Sequence, residues 1–146
     1  MKRIVVGSDH AGLALKRALA EWLRARDYAV DDLGTHDEDS CDYPDLGRAV
    51  AKVVANGDAP LALLVCGSGV GMSITANRYP RVRAVVCSES YSAAMARRHN
   101  DANVLCLGAR VVGVGLAEEI LAAFLEAEFE GGRHARRVAK IDGEEQ

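Results

Sequence analysis

The sequence has few aromatic residues and no long apolar run, and each absence excludes a class of protein. Aromatic side chains make up only 5% of the 146 residues, which argues against a surface that binds single-stranded nucleic acid by base stacking. No apolar run approaches the ~20 residues that a membrane-spanning helix requires. The formal net charge of −3 gives no electrostatic reason for a nucleic acid partner. We therefore expect neither a nucleic acid nor a membrane as partner.

Closely spaced cysteine pairs are also absent. The four cysteines are Cys41, Cys66, Cys87 and Cys106, and no two of them form a C-x-x-C motif. This spacing does not predict a metal centre. Three of the four fall at or near predicted strand ends, where cysteine usually serves as a small buried hydrophobe. The N-terminus enters a strand at once without a signal-peptide pattern, so we expect a reducing, cytoplasmic environment.

Strand-like and helix-like segments alternate along the chain. The predicted strands are residues 2–8, 28–33, 61–66, 83–87 and 103–107. The predicted helices are residues 11–26, 45–56, 73–79, 90–98, 116–129 and 133–141, the last being a basic segment followed by a polar tail to residue 146. This order predicts a single α/β domain over residues 1–146. We expect three layers around a doubly wound, mostly parallel five-stranded sheet of the Rossmann or flavodoxin type, with ligands at the carboxyl ends of its strands.

The segment Leu-Ala-Leu-Leu-Val-Cys-Gly-Ser-Gly-Val-Gly-Met, residues 61–72, is the most informative in the sequence. Its apolar half predicts a strand buried on both faces, which ends at Cys66. Glycines 67, 69 and 71 let the backbone turn sharply and approach a ligand closely. The predicted helix that follows would present its amides to an anion. A thiol beside a helix N-terminus ionises more readily, so Cys66 could act as a nucleophile or as a general base.

Three known phosphate-binding loops resemble this segment but each lacks a residue that its chemistry requires. A dinucleotide fingerprint needs G-x-G-x-x-G, and Met72 stands at the third glycine position. Glu89, at the end of the next strand, keeps a ribose-binding alternative open. A P-loop needs a Lys-Ser/Thr pair after its glycines, and a C-x5-R phosphatase loop needs arginine where Met72 stands.

Polar residues at other element ends admit both a structural and a functional interpretation. Asp9 and His10 follow the first strand at the edge where the glycines lie, and either could cap a loop or contact a ligand. His99 ends a predicted helix, where a cation would complement the helix dipole. Arg133 and Arg137 share a helix face, which is usually solvated but could also hold a phosphate.

Six segments in order resemble the signature of one family. They are Gly-Ser-Asp-His-Ala-Gly at 7–12, Asp-Tyr-Pro at 42–44, the stretch from Val65 to Arg78, Arg-Ala-Val-Val at 83–86, His-Asn-Asp-Ala-Asn at 99–103 and Glu-Gly-Gly-Arg-His at 130–134. Together they resemble type B ribose-5-phosphate isomerases over about residues 2–141. This family also contains subunits of galactose-6-phosphate isomerase. The resemblance implies an aldose–ketose isomerase that works through an enediolate and needs neither metal nor organic cofactor.

The resemblance also implies catalytic roles. Cys66 would be the general base that moves a proton between C2 and C1. Ser68 would assist the hydroxyl protons, His99 would open the sugar ring, and Asp9 would hold sugar hydroxyls. Some relatives use a glutamate later in the glycine loop, and Met72 occupies that position here.

The substrate-binding residues that the resemblance implies are His10, Tyr43, Gly67, Gly69, Val70, Gly71, Asn100, Arg110, Arg133 and Arg137. Amides of the loop from Gly69 to Gly71 would form the oxyanion hole, and the arginines with His10 would bind phosphate. The family's site lies between subunits, so His99, Asn100 and Arg110 would come from a partner. A homodimer or homotetramer is therefore implied.

Two rival functions stay open. The first is the same chemistry on a hexose 6-phosphate such as allose or galactose 6-phosphate. The second, of a different class, is a non-catalytic nucleotide-binding module, which the glycine loop and Glu89 would support. A nucleotide that raises the melting temperature where ribose 5-phosphate does not would favour the binding module.

Overall fold

A computed structural model describes residues 1–144 and contains five strands and six helices within them. The strands are β1 (Lys2–Ser8), β2 (Tyr28–Asp32), β3 (Leu61–Cys66), β4 (Ala84–Val86) and β5 (Val104–Gly108). The helices are α1 (Leu13–Arg24), α2 (Tyr43–Ala55), α3 (Val70–Ala76), α4 (Ser90–Asn100), α5 (Val114–Glu126) and α6 (Arg133–Ile141). No helix among these residues is both long and apolar enough to cross a membrane. The last two residues of the predicted polar tail lie outside the described range.

The five strands form one parallel sheet in the order β2-β1-β3-β5-β4. The prediction of an α/β fold with a doubly wound sheet is confirmed, and all four strand pairs are parallel. The order differs from the flavodoxin order 2-1-3-4-5 in that β5 lies between β3 and β4. The chain moves outward from β1 to β2 and then returns to the other side of β1 with β3. The boundary between β1 and β3 is therefore the switch point at which such folds bind ligands.

Helices cover both faces of the sheet, because the strand side chains alternate between two apolar clusters. Ile4 and Leu63 belong to the cluster beneath α1, α4 and α5, whereas Val5 and Leu64 belong to the cluster beneath α2 and α3. Cys66 belongs to the second cluster, so its side chain faces α2 and α3. Helix α6 packs outside these layers against α4.

The predicted bounds were wrong at several element ends. Helix α3 begins at Val70 and ends at Ala76, three residues earlier at each end than predicted, because Gly69 turns the backbone directly into it. Helix α2 begins at Tyr43, so Pro44 occupies its first turn without losing a helical hydrogen bond. Helix α4 continues to Asn100, and α5 runs from Val114 to Glu126. By contrast, α6 has the predicted bounds.

Candidate active site

The carboxyl ends of β1 and β3 bring Asp9 and Cys66 to the same edge of the sheet. The two strands pair with Ser8 opposite Val65, and the N–H of Asp9 donates to the carbonyl of Val65. Both residues are nearly buried, with 7% of Asp9 and 5% of Cys66 exposed. The Asp9 carboxylate accepts a hydrogen bond from the N–H of Gly12 at 3.0 Å, which fixes its direction. A carboxylate and a thiol thus lie at the switch point of the sheet.

The turn after Cys66 aims a backbone amide at its sulfur. Gly69 has φ +81°, a left-handed conformation that a residue with a side chain rarely adopts. In this conformation the N–H of Gly69 donates to Cys66 Sγ at 3.2 Å. The next amide, of Val70, donates to Ser68 Oγ at 3.2 Å. Two of the three amides predicted for the oxyanion hole thus donate to side chains of the turn itself, and the oxyanion-hole role of the loop stays a prediction.

Tyr43 closes one side of a cleft above this turn. A Cβ placed on Gly71 would lie 2.3 Å from the Tyr43 ring, so only glycine permits the ring to pack there. The cleft has a volume of about 550 Å³, within the range of small-molecule sites. It is lined by Asp9, Tyr43, Cys66, Gly67, Ser68, Val70, Gly71, Ile74, Arg110 and Val111. Eight of the fourteen predicted site residues, Arg110 among them, line this one cleft.

Arg110 lines the cleft of its own chain, which corrects the expectation that a partner subunit supplies it. The turn after β5 runs beside the glycine turn, since the N–H of Ala109 donates to the Cys66 carbonyl and the N–H of Arg110 to the Gly67 carbonyl. The Arg110 guanidinium consequently lies against Gly67, at 3.2 Å from the position that a Cβ would take there. Its positive charge is available to an anionic group in the cleft.

His10 lies at the same sheet edge and is held by the loop before α2. The backbone N–H of Cys41 donates to His10 Nδ1 at 3.2 Å, and Cys41 Sγ lies 3.9 Å from the same nitrogen. Because Nδ1 accepts a hydrogen bond, the ring hydrogen of neutral His10 is on Nε2. His10 can therefore donate from Nε2 to a phosphate oxygen.

The other predicted residues lie at the opposite edge of the sheet. Helix α4 starts beyond the carboxyl end of β4 and ends before the amino end of β5, so His99 and Asn100 lie at the amino edge. Asn100 lines a separate cavity of about 660 Å³. Arg133 and Arg137 are exposed on α6, which packs on α4. One chain therefore carries two separate groups of candidate residues and does not bring them together.

Glu89 and two other cysteines have structural roles. The Glu89 carboxylate accepts from the N–H of Ser92 and caps α4, and hydrogen bonding to the side chain and then to the backbone of Ser92 lowers the pKa of Glu89. Burial, with a smaller contribution from Glu89, raises the pKa of the Cys87 thiol to about 11. Burial also raises the pKa of Cys106. Neither of these thiols can act as a base near neutral pH, and the capping role of Glu89 removes the main support for the nucleotide-binding alternative.

Several residues near the predicted ones were missed by the sequence analysis. Ile74 and Val111 line the cleft and are 62% and 60% exposed. The His134 ring stacks on His99 with the centroids 4.2 Å apart, and Glu130 lies beside both rings. Glu130 and His134 belong to a segment that supported the family resemblance, but no spacing argument gave them a role.

Comparisons with known proteins identify the family of the chain. Residues 4–141 match the ribose/galactose isomerase family. Ribose-5-phosphate isomerase B of Escherichia coli is 49% identical over 146 residues, covering 100% of this chain and 98% of the relative. The structure of ribose-5-phosphate isomerase B from Clostridium thermocellum superimposes with a TM-score of 0.95 at 52% identity and covers 97% of this chain and 95% of that one. D-erythrulose-4-phosphate isomerase of Pectobacterium atrosepticum is 40% identical over 146 residues, covering 97% of this chain and 93% of the relative.

We predict that Gly71→Ala destabilises the fold by about 1–3 kcal/mol, because the new methyl group overlaps the Tyr43 ring. In a Tyr43→Ala background the Gly71→Ala substitution should destabilise the fold much less, since the overlapping ring is absent. Urea unfolding of the four chains of this cycle measures both effects. Gly115→Ala is the matched control, since nothing lies within 4 Å of a Cβ there. Equal costs in both backgrounds would contradict the assigned contact.

We also predict that the stability of the protein falls as the pH drops below 6.5 and that His134 causes part of this loss. Burial of the ring, with the neighbouring His99 and Arg133, lowers the pKa of His134 from its ordinary 6.5. The folded chain then binds fewer protons at this residue than the unfolded chain, so the free energy of unfolding decreases with falling pH. Urea unfolding above and below pH 6.5, at one chain concentration, measures the free energy of unfolding. This free energy should depend less steeply on pH in His134→Asn than in wild type. His36→Asn is the control at an exposed histidine and should keep the pH dependence of the wild type. Identical slopes of the free energy of unfolding against pH in wild type, His134→Asn and His36→Asn would contradict the prediction.

Proposed function

The chain belongs to the ribose/galactose isomerase family and is an aldose–ketose isomerase, and on this premise we propose that it interconverts D-ribose 5-phosphate and D-ribulose 5-phosphate. The observation that carries the proposal is the placement of Cys66. Its sulfur lies at the end of β3, accepts the N–H of Gly69 and borders a cleft that also holds Asp9 and Arg110. A base, a hydroxyl-orienting carboxylate and a phosphate-binding cation thus line one cleft.

The proposed reaction is a proton transfer between adjacent carbons. Ionised Cys66 accepts the proton from C2 of the open-chain aldose, and the C–H electrons form the C1–C2 double bond while negative charge moves to O1. The hydroxyl proton on O2 then moves to O1, and the protonated thiol returns its proton to C1 as the ketone forms at C2. The hydrogen bond from Gly69 stabilises negative charge on the sulfur and positions it for this exchange.

The enediolate oxygen requires a donor that is not already engaged within the turn. We assign this role to the N–H of Gly71 in the first turn of α3, because such amides have no helical carbonyl partner. The Ser68 hydroxyl accepts from Val70, so its hydrogen can be donated to a substrate oxygen. Gly71 and Ser68 together would stabilise the enediolate and move its hydroxyl proton.

The complete site requires a second copy of the chain. Ring opening and phosphate binding are assigned to His99, Asn100, Arg133 and Arg137, which lie at the edge of the sheet opposite to Cys66. A partner chain can place its own copies of these residues over the cleft. Such docking would cover Val70, Ile74 and Val111 at the rim, which are 48%, 62% and 60% exposed in the single chain. We propose a homodimer with two shared sites, which could pair further into a tetramer.

The base assignment predicts that Cys66→Ala loses nearly all isomerase activity while ribose 5-phosphate still binds. The variant lacks the group that accepts the C2 proton but keeps Asp9, Arg110 and the glycine turn. A coupled assay gives kcat, and calorimetric titration gives the Kd. Cys87→Ala is the matched control, because it removes a buried thiol whose pKa of about 11 makes it inert. Near-wild-type turnover by Cys66→Ala would contradict the assignment.

The shared site predicts that two inactive variants restore each other's activity. In a mixed dimer of Cys66→Ala and His99→Asn chains, one site carries both substitutions and the other carries neither. Random pairing should restore about a quarter of the wild-type specific activity, since half of the dimers are mixed and each has one intact site. Co-expression of the two variants with different tags supplies the mixture. No recovery in a purified mixed dimer would show that each site lies within one chain.

The substrate assignment predicts the highest kcat/KM for ribose 5-phosphate. The named activity of the Pectobacterium atrosepticum relative makes D-erythrulose 4-phosphate the second candidate, and hexose 6-phosphates remain a third. Parallel assays with these substrates rank them at one enzyme concentration. A higher kcat/KM for a four-carbon or six-carbon phosphate would overturn the pentose assignment while keeping the mechanism. No turnover of any would favour the nucleotide-binding module.

A further inference from the structure

Helix α1 carries a lysine that is fully buried. Lys16 is 0% exposed, and it is the one buried lysine or arginine among residues 1–144. A buried lysine needs a partner for its charge, because removing an ammonium group from water is unfavourable. Asp32 at the end of β2 is this partner, with 2.7 Å between Lys16 Nζ and a carboxylate oxygen. A specific ion pair therefore fixes the position of the ammonium group.

The same ammonium group holds the loop that follows β2. Lys16 Nζ also donates to the carbonyl oxygen of Thr35 at 2.5 Å. The Asp32 carboxylate supports this contact, since it accepts the N–H of Gly34 at 2.9 Å. Hydrogen bonds of Lys16 and Asp32 thus tie the start of the loop to α1.

This loop supports one side of the segment that carries Asp9 and His10. Ser8 directly precedes Asp9, and its N–H donates to the carbonyl of Gly34 at 2.8 Å. In return, the N–H of Thr35 donates to the Ser8 carbonyl at 2.7 Å. Both backbone groups of Ser8 are therefore bonded to the loop that the ammonium group holds.

Helix α1 supports the other side of the segment. The N–H of Gly12 donates to the Asp9 carboxylate at 3.0 Å, and the carbonyl of Gly12 accepts the N–H of Lys16 at 2.9 Å. Gly12 itself cannot move far, since a Cβ there would lie 2.5 Å from the Val65 carbonyl oxygen. Lys16 therefore belongs through its backbone to the support of Asp9 and through its ammonium group to the support of Ser8.

We propose that Lys16 is a positioning residue, which fixes the substrate-binding segment at residues 8–12 by joining its two supports. Asp9 lines the cleft, whereas Lys16 does not. The effect of Lys16 on the substrate is therefore indirect and passes through Asp9 and His10.

Loss of the ammonium group is expected to change substrate binding rather than the chemical step. Asp9 and His10 hold the sugar and its phosphate in the proposed mechanism, and weaker contacts of this kind raise KM. The Cys66 sulfur keeps its hydrogen bond from Gly69, so kcat should change little. The rise in KM rests on the proposed function, whereas the state of the His10 ring does not.

The kinetic test compares Lys16→Met with the wild type in the isomerase assay. We expect KM for ribose 5-phosphate to rise about tenfold and kcat to stay within about twofold of the wild-type value. Leu23→Ala is the matched control, because it removes a fully buried side chain from the last turn of the same helix and so lowers the melting temperature Tm. This control should keep the wild-type KM. A wild-type KM in folded Lys16→Met would overturn the proposal.

A double variant distinguishes positioning from stability. Lys16→Met alone leaves the Asp32 carboxylate unpaired, which lowers Tm whatever the role of Lys16. Lys16→Met/Asp32→Asn removes both charges and keeps an oxygen for the N–H of Gly34. Its Tm should lie closer to that of wild type, while its KM should stay raised because the Thr35 carbonyl still lacks its donor. A KM that returned to the wild-type value together with Tm would show that Lys16 acts on stability alone.

The His10 ring gives a readout that does not depend on turnover. In wild type the N–H of Cys41 donates to Nδ1, so the neutral ring carries its hydrogen on Nε2. NMR spectra of the ring nitrogens, at a pH at which the ring is neutral, distinguish this tautomer from the Nδ1–H form. The loss of one signal in His10→Asn identifies the residue.

We expect a larger share of the Nδ1–H form in Lys16→Met and in the double variant, and the wild-type tautomer in Leu23→Ala. An unchanged tautomer in Lys16→Met and in the double variant would overturn the proposal. A shifted tautomer in a protein that turns over no sugar phosphate would refute the proposed function and keep the positioning role of Lys16.

Discussion

The position of Cys66 depends on the hydrogen bond that its sulfur accepts from Gly69. Parallel pairing of β3 with β1 and β5 fixes the end of the strand, and the left-handed backbone at Gly69 then turns the chain back over that end. The same turn starts α3 and brings Gly71 against Tyr43. A side chain at position 69 would strain this turn and also meet the backbone of Leu107 at 2.9 Å. One small turn, at Gly69, therefore determines where the Cys66 sulfur lies, where the cleft wall stands and where α3 begins.

A second constraint is the direction of the helices that cross between parallel strands. Because α4 must return from the carboxyl edge to the amino edge before β5 begins, His99 and Asn100 cannot reach Cys66 within one chain. Under the proposed mechanism, association with a second chain is then a requirement of the chemistry. The face that α4 and α6 form together can then complete a neighbouring cleft.

Much of the fold was predictable because apolar runs and helical periodicity are local properties of the sequence. Strands β1 and β3 and helix α6 have the predicted bounds. The start of α3 was missed because the left-handed conformation of Gly69 depends on packing against β5. The placement of β5 between β3 and β4 was also not predictable, because alternation of elements does not define strand order. Arg110 was assigned to a partner because the family resemblance implied it, and the turn after β5, which folds Arg110 over Gly67, has no local sequence signal that points to its own chain.

The most direct test of the two-chain site is a crystal structure of the protein with a phosphate-bearing analogue of the enediolate. The account predicts that the analogue's reacting carbons lie within contact distance of Cys66 Sγ of one chain. Its phosphate should lie against Arg133 and Arg137 of a second chain, with Arg110 of the first chain alongside. A ligand contacted by one chain alone, or bound away from Cys66, would contradict the account.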